Sequence, residues 1–249
     1  LEILEREGNE MAFDRKTVIE HARGADAAMV DEGLRAFMLK VYNYMCLGLG
    51  VTGAVAMFTA SSEGMMQAIY GTPLAWLVML SPLAFILALS FGLNKLSVGA
   101  TRALFWAFAV VMGLSMASIF MVYTSTSIAR VFFITAAAFA GLSLYGYTTK
   151  RNLSGMGSFM VMGLIGIIIA MLVNLFLQSS ALHFAISVIG VLVFAGLTAW
   201  DTQKLKMVYA AQSGDAAVAE KSAIMGALTL YLDFVNMFYF LLHLFGSRE

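Results

Sequence analysis

Only one cysteine, two prolines and three histidines occur in 249 residues, and charged residues make up 12%. Cys46 sits alone inside an apolar run, so a disulfide within one chain and any cysteine-based metal site are excluded. His21, His183 and His243 fall in separate segments and form no ligand pair at helical spacing. That spacing argues against a zinc-dependent hydrolase, whose metal needs several histidines, and no enzymatic activity is expected. Basic residues form no stripe, which argues against nucleic acid as a partner.

What the chain has in abundance is apolar surface. It is 61% hydrophobic with a mean hydropathy of +0.85, more than one soluble core can bury. An all-α polytopic membrane protein is expected. Residues 1–10, LEILEREGNE, differ in character from the rest of the chain and read as a remnant or an upstream start outside the fold. Residues 11–35 are polar and mixed in charge, as in a cytosolic tail or surface helix, and residues 36–249 hold one transmembrane domain.

Within that domain seven runs approach the ~20 residues that a helix needs to cross the hydrocarbon. They are Phe37 to Thr59, Ala75 to Leu93, Leu104 to Tyr123, Ile128 to Tyr147, Gly157 to Leu177, Ala181 to Trp200 and Ala223 to Phe245. Short gaps make neighbouring helices antiparallel; the long connection is Asp201 to Ser222. Pro82 falls inside the second run and predicts a kink there. Small residues recur in GLGVTGAVA at Gly48, FAGLSLYG at Phe139 and GLIG at Gly163, as helices that approach closely in a bilayer require. The 18 methionines read as flexible filling.

Thirteen of the 15 lysines and arginines lie in the N-terminal segment and in or beside the second, fourth and sixth connections; only Arg130 and Arg248 lie on the other side. This bias predicts a cytosolic N-terminus and, after seven spans, a C-terminus across the membrane.

Carboxylates inside such runs demand a reason. An ionised Asp at the centre of a span costs about 2.5–3.5 kcal/mol on insertion scales, so it persists when it faces the bundle interior with a partner. Asp233 lies in ALTLYLDFVNMFYFLLHLF, on a stripe with Thr229, Asn236 and Phe240, which turns it inward. Asp201 closes the sixth run, ahead of Lys204 and Lys206. For the two acids to meet, the sixth helix must continue past Trp200 or the seventh must begin before Ala223. Two readings stay open. Asp233 can be a protonated core residue bonded to Asn236 or a neighbouring serine, with Asp201 solvated at a helix end. Alternatively, the two form a pair that shares a proton in a low-dielectric site, and a hard dication competes for the same oxygens.

The segments MGLSMASIF, YGYTTKRNLSGMG, AWDTQKLK and LYLDFVNMFYFLLHLFG closely resemble the Bax inhibitor-1 family, in particular its bacterial YccA-like branch, over about Lys40 to Gly246. The resemblance implies seven helices with the last at the centre, in a bacterial cytoplasmic membrane. It also implies a pH-sensitive calcium leak controlled by two aspartates, which fall on Asp201 and Asp233 and serve as proton and calcium ligands. Thr229 and Asn236 are expected to support them. Some members lock the pair with an arginine near the end of the second helix; here the basic residue is Lys95, which lacks the bidentate fork and makes a weaker lock. The same branch includes regulators of a membrane-embedded protease or translocation machinery. For such an adaptor the tail through Arg35 and the connection Gln203 to Ser222 are the expected contact surfaces.

Overall fold

Each apolar run closes into a helix, and most are opened by a short polar residue standing just ahead of them. The computed structural model describes residues 2–92, 95–211 and 215–248, with side chains from residue 31 onward. The helices are α1 Glu2–Ala60, α2 Glu63–Tyr70, α3 Leu74–Gly92, α4 Val98–Met116, α5 Ser125–Thr148, α6 Ser154–Leu177, α7 Ser180–Ala210 and α8 Ala216–Phe245, with a 3-10 turn at Ala117–Met121. Ser62, Ser97, Thr124, Ser179 and Asp215 each accept a hydrogen bond from a backbone N–H in the first turn of the helix they open. Such a cap stabilises a helix by ~1 kcal/mol.

Among the described residues seven helices are long and apolar enough to cross a membrane: Asp31–Ala60 of α1, α3, α4 with its 3-10 turn, and α5 to α8. They coincide with the seven runs read from hydropathy. The short α2, between the first two spans, has no counterpart among those runs. It is held by the Tyr70 hydroxyl, which donates to the Leu114 and Ser115 carbonyls and accepts from the Ser118 N–H. α3 runs through Pro82 without ending. Side chains of residues 1–30, including His21 and most of the expected tail, lie outside the described residues. The connection expected over Gln203 to Ser222 is largely helix, because α7 continues to Ala210 and α8 begins at Ala216.

The last helix forms the core. Of the most apolar stretch of α8, 72% is buried, against 39% for α7 and 6% for α6. α8 packs on α1, α4, α5 and α7, while α3 leans on α4 and α6 on α7 as an outer layer. Large side chains with almost no exposure cluster on α8 and its neighbours: Tyr231, Leu230, Met237 and Leu242 against Phe105, Phe108 and Val41. Exposed apolar residues such as Phe91, Phe176 and Leu192 face outward, as a bilayer permits and water does not.

Small residues do only part of what their motifs suggest. Gly146 lies so close to the Ala199 backbone that a methyl group would overlap the Ala199 carbonyl oxygen, and Gly163 abuts Val193. Gly50, Gly53, Gly141 and Gly166 meet nothing within 4 Å of an added Cβ. Much of the small-residue runs therefore faces open space rather than a neighbouring helix.

Candidate functional site in the bundle core

The residues Asp201, Thr202 and Gln203 stand consecutively on α7 and reach three different partners. Both aspartates are buried, Asp201 at 7% exposure and Asp233 at 4%. Their carboxyl groups lie within hydrogen-bonding reach of each other across the α7–α8 interface. The two helix extensions expected as alternatives occur together, and they bring the two depths into line. Oδ2 of Asp233 is buried and meets no hydrogen-bond donor. Carboxylate oxygens are acceptors only, so two such groups in contact require a shared proton or a cation between them.

Lys204 stands one turn along α7 from Asp201, and its ammonium lies 5.0 Å from the centre of the Trp200 ring. Lys95 stands exposed in the turn after α3, and among the described residues it makes no ion pair with either aspartate. The Thr229 hydroxyl donates to the Met225 carbonyl at 3.1 Å and the Asn236 amide to the Leu232 carbonyl at 2.8 Å. Both thus satisfy their own helix, and the partner of Asp233 is Asp201.

Next to Asp201, a directed chain of hydroxyls crosses three helices. Thr202 donates to the Thr198 carbonyl at 2.8 Å. Its oxygen therefore accepts from Ser143 at 2.9 Å, and Ser143 in turn accepts from the Tyr42 hydroxyl at 2.7 Å. Tyr42 and Ser143 also line an apolar cleft of about 1210 Å³ between α1 and α5, backed by Phe234 and Phe238 of α8. Gln203 clamps the α5–α6 connection, accepting from the Leu153 N–H at 2.8 Å and donating to the Arg151 carbonyl at 2.7 Å.

A second charged cluster carries no signal in the sequence. Glu220 of α8 receives Lys40 at 2.7 Å, Arg102 at 2.8 Å and the Tyr44 hydroxyl at 2.7 Å. One carboxylate thereby ties α1 and α4 to the start of the central helix. Glu220 lies in a mixed polar stretch that reads as a connection, and nothing in its spacing points to residues more than 100 positions away. Deeper in α8, Thr52 donates to the Ala109 carbonyl at 2.8 Å, so the fully buried Tyr231 donates its hydroxyl to Thr52 at 2.7 Å.

Comparison with known proteins agrees with this architecture. A family model described as inhibitor of apoptosis-promoting Bax1 matches residues 34–249. An uncharacterized protein of Rickettsia prowazekii is 49% identical over 219 residues, 88% of this chain and 92% of the relative. The inner membrane protein YbhL of Escherichia coli is 48% identical over 220 residues, 87% of this chain and 94% of the relative. An uncharacterized protein of Caulobacter vibrioides is 46% identical over 229 residues, with 88% and 92% covered. With seven spans, a buried final helix and this match over nearly the whole described bundle, the chain is an integral membrane protein that belongs to the Bax inhibitor-1 family.

Proposed function

We propose that the protein is a pH-sensitive calcium leak in a bacterial cytoplasmic membrane, with its N-terminus in the cytosol, and that the Asp201–Asp233 pair is its gate. The observation that carries this reading is the contact of two buried carboxyl groups with one oxygen left without a donor. With a proton shared between them, the pair ties α7 to α8 and holds the bundle closed. Loss of that proton leaves two like charges in a medium of low dielectric constant, which drives the helices apart unless a cation takes its place. Calcium suits that place as cargo, because it binds carboxylate oxygens and accepts irregular coordination. Among the described residues no group of three or more histidine, cysteine or acidic side chains surrounds the pair. Two carboxylates alone favour a passing ion over a tightly held one. Lys204 tempers the repulsion from one side, and the hydroxyl chain from Tyr42 to Thr202 links the α1–α5 cleft to the residue beside Asp201.

The test is calcium flux into proteoliposomes at several pH values for the parent chain, Asp201→Asn and Asp233→Asn. Each variant is expected to flatten the dependence of flux on pH, because an amide cannot take up or release the gating proton. Flux identical to the parent at every pH in both variants refutes the gate. The alternative of a YccA-like adaptor for a membrane protease or translocation machinery then leads. Deleting the tail before Arg35 separates the two: an adaptor loses its effect on its partner, whereas a reconstituted leak persists.

A further inference from the structure

Two histidines that the sequence sets 60 positions apart meet in space. His183, near the start of α7, and His243, near the end of α8, place their ring centres 4.9 Å apart with planes inclined at 49°. They stand about 27 Å along α7 from Asp201 at 1.5 Å per residue, toward the opposite end of the bundle. Nδ1 of His243 lies 2.8 Å from the Tyr239 carbonyl oxygen. A carbonyl can only accept, so Nδ1 carries the hydrogen and Nε2 keeps its lone pair. A backbone carbonyl holding the far nitrogen of an imidazole is the arrangement that orients histidines bound to metals.

Among the described residues no third histidine, cysteine or acidic side chain joins the two rings, so any further ligand is an oxygen of the cavity wall or water. A cavity of about 300 Å³ opens beside both rings, walled by Asn174, Gln178 and Ser187 together with Tyr239 and Phe240. The Ser187 hydroxyl donates to the His183 carbonyl at 2.9 Å and the Asn174 side-chain oxygen accepts from the Ser179 N–H at 3.0 Å, which leaves lone pairs on both oxygens. Gln178 caps α6 with φ at 50°, and among the described residues it is the single non-glycine position in the left-handed region. Such a conformation persists where the surroundings impose it, and here it bounds the cavity. Titratable and charged groups nearby are few: Tyr239 and Tyr123 lie edge-on to His243 at 4.2 and 6.2 Å between ring centres, and Arg248 stands 5.9 Å from the centre of the Tyr123 ring.

We propose that His183 and His243 bind a borderline transition-metal dication of the zinc class, with oxygens from the cavity wall or water completing the set. Two imidazoles on one tetrahedral zinc, each nitrogen about 2.0–2.1 Å from the metal, hold their ring centres about 5 Å apart, and the observed separation is 4.9 Å. Neutral imidazoles without a carboxylate select such a metal over calcium or magnesium, so this site is chemically distinct from the aspartate pair.

The experiment is titration of the purified full chain, free of any polyhistidine tag, with zinc chloride by calorimetry, and with cobalt chloride by visible absorption. One zinc per chain with a Kd in the micromolar range is expected, with cobalt bands of a four-coordinate nitrogen and oxygen site. His183→Gln and His243→Gln are each expected to weaken zinc binding at least tenfold and the double variant to abolish it. Unfolding curves without metal establish that the variants are folded. Should they not fold, the cobalt spectrum of the parent decides. Absence of saturable zinc binding by the parent, absence of four-coordinate cobalt bands, or full binding by a folded double variant overturns the proposal.

Discussion

Single side chains in this bundle act mainly through what they tie together. Glu220 has a side-chain exposure of 13% and holds two cations whose own exposure is 51% for Lys40 and 50% for Arg102. Glu220→Gln keeps an acceptor for Tyr44 but removes the charge that Lys40 and Arg102 face. It is expected to lower the melting temperature in detergent by about 2–4 °C, the response of a chain this size to ~1 kcal/mol. The difference should shrink in high salt, because half-exposed cations are screened; thermal unfolding at two ionic strengths checks both statements. Asp233 is legible at this scale, since a lone acid in an apolar run has few places to go. The roles of Thr202 and Gln203 are not: a hydroxyl or an amide beside a motif carries no sign of which helix it will reach.

At the scale of the helix, the distribution of small residues divides into contacts and open faces. Gly146→Ala pushes a methyl into the Ala199 carbonyl, a backbone group that α7 cannot withdraw. Overpacking of this kind costs about 1–3 kcal/mol, and a clear drop in melting temperature is expected. Gly166→Ala meets nothing, and its lower backbone entropy in the unfolded chain stabilises the helix by about 0.5–1 kcal/mol. The pair of variants, melted side by side, should move in opposite directions. Helix positions themselves are readable because length and hydropathy suffice to define a span. Helix ends are less so: α7 and α8 overrun their apolar segments, since a helix continues into water wherever no breaker stops it and tertiary contacts such as Glu220 hold the extension.

For the whole molecule, seven candidate spans, an odd number, predict termini on opposite sides of the membrane. With the lysine and arginine bias directing the N-terminus to the cytosol, alkaline phosphatase fused after Arg248 is expected to be active in Escherichia coli, and a green fluorescent protein fusion at that place dark. Fusions in the α7–α8 connection should give the reverse. An even span count or an inverted chain would exchange these outcomes. The open cleft between α1 and α5 belongs to this scale as well, because it opens between two helices that both pack on α8 and are bridged by the Tyr42–Ser143 hydrogen bond.

Hydropathy, charge and length alone establish seven helices, their order, their expected direction and the inward turn of Asp233, because transfer from water to hydrocarbon acts on each segment independently of the others. Which helices touch was decided only in the folded bundle. Inside a bilayer the lipid is as apolar as a leucine, so no hydrophobic stripe marks the contact face and neighbours are chosen by shape and by a few polar bonds. The meeting of Asp201 with Asp233, the grip of Glu220 on Lys40 and Arg102, and the approach of His183 to His243 all depend on that choice, which joins residues far apart in the chain.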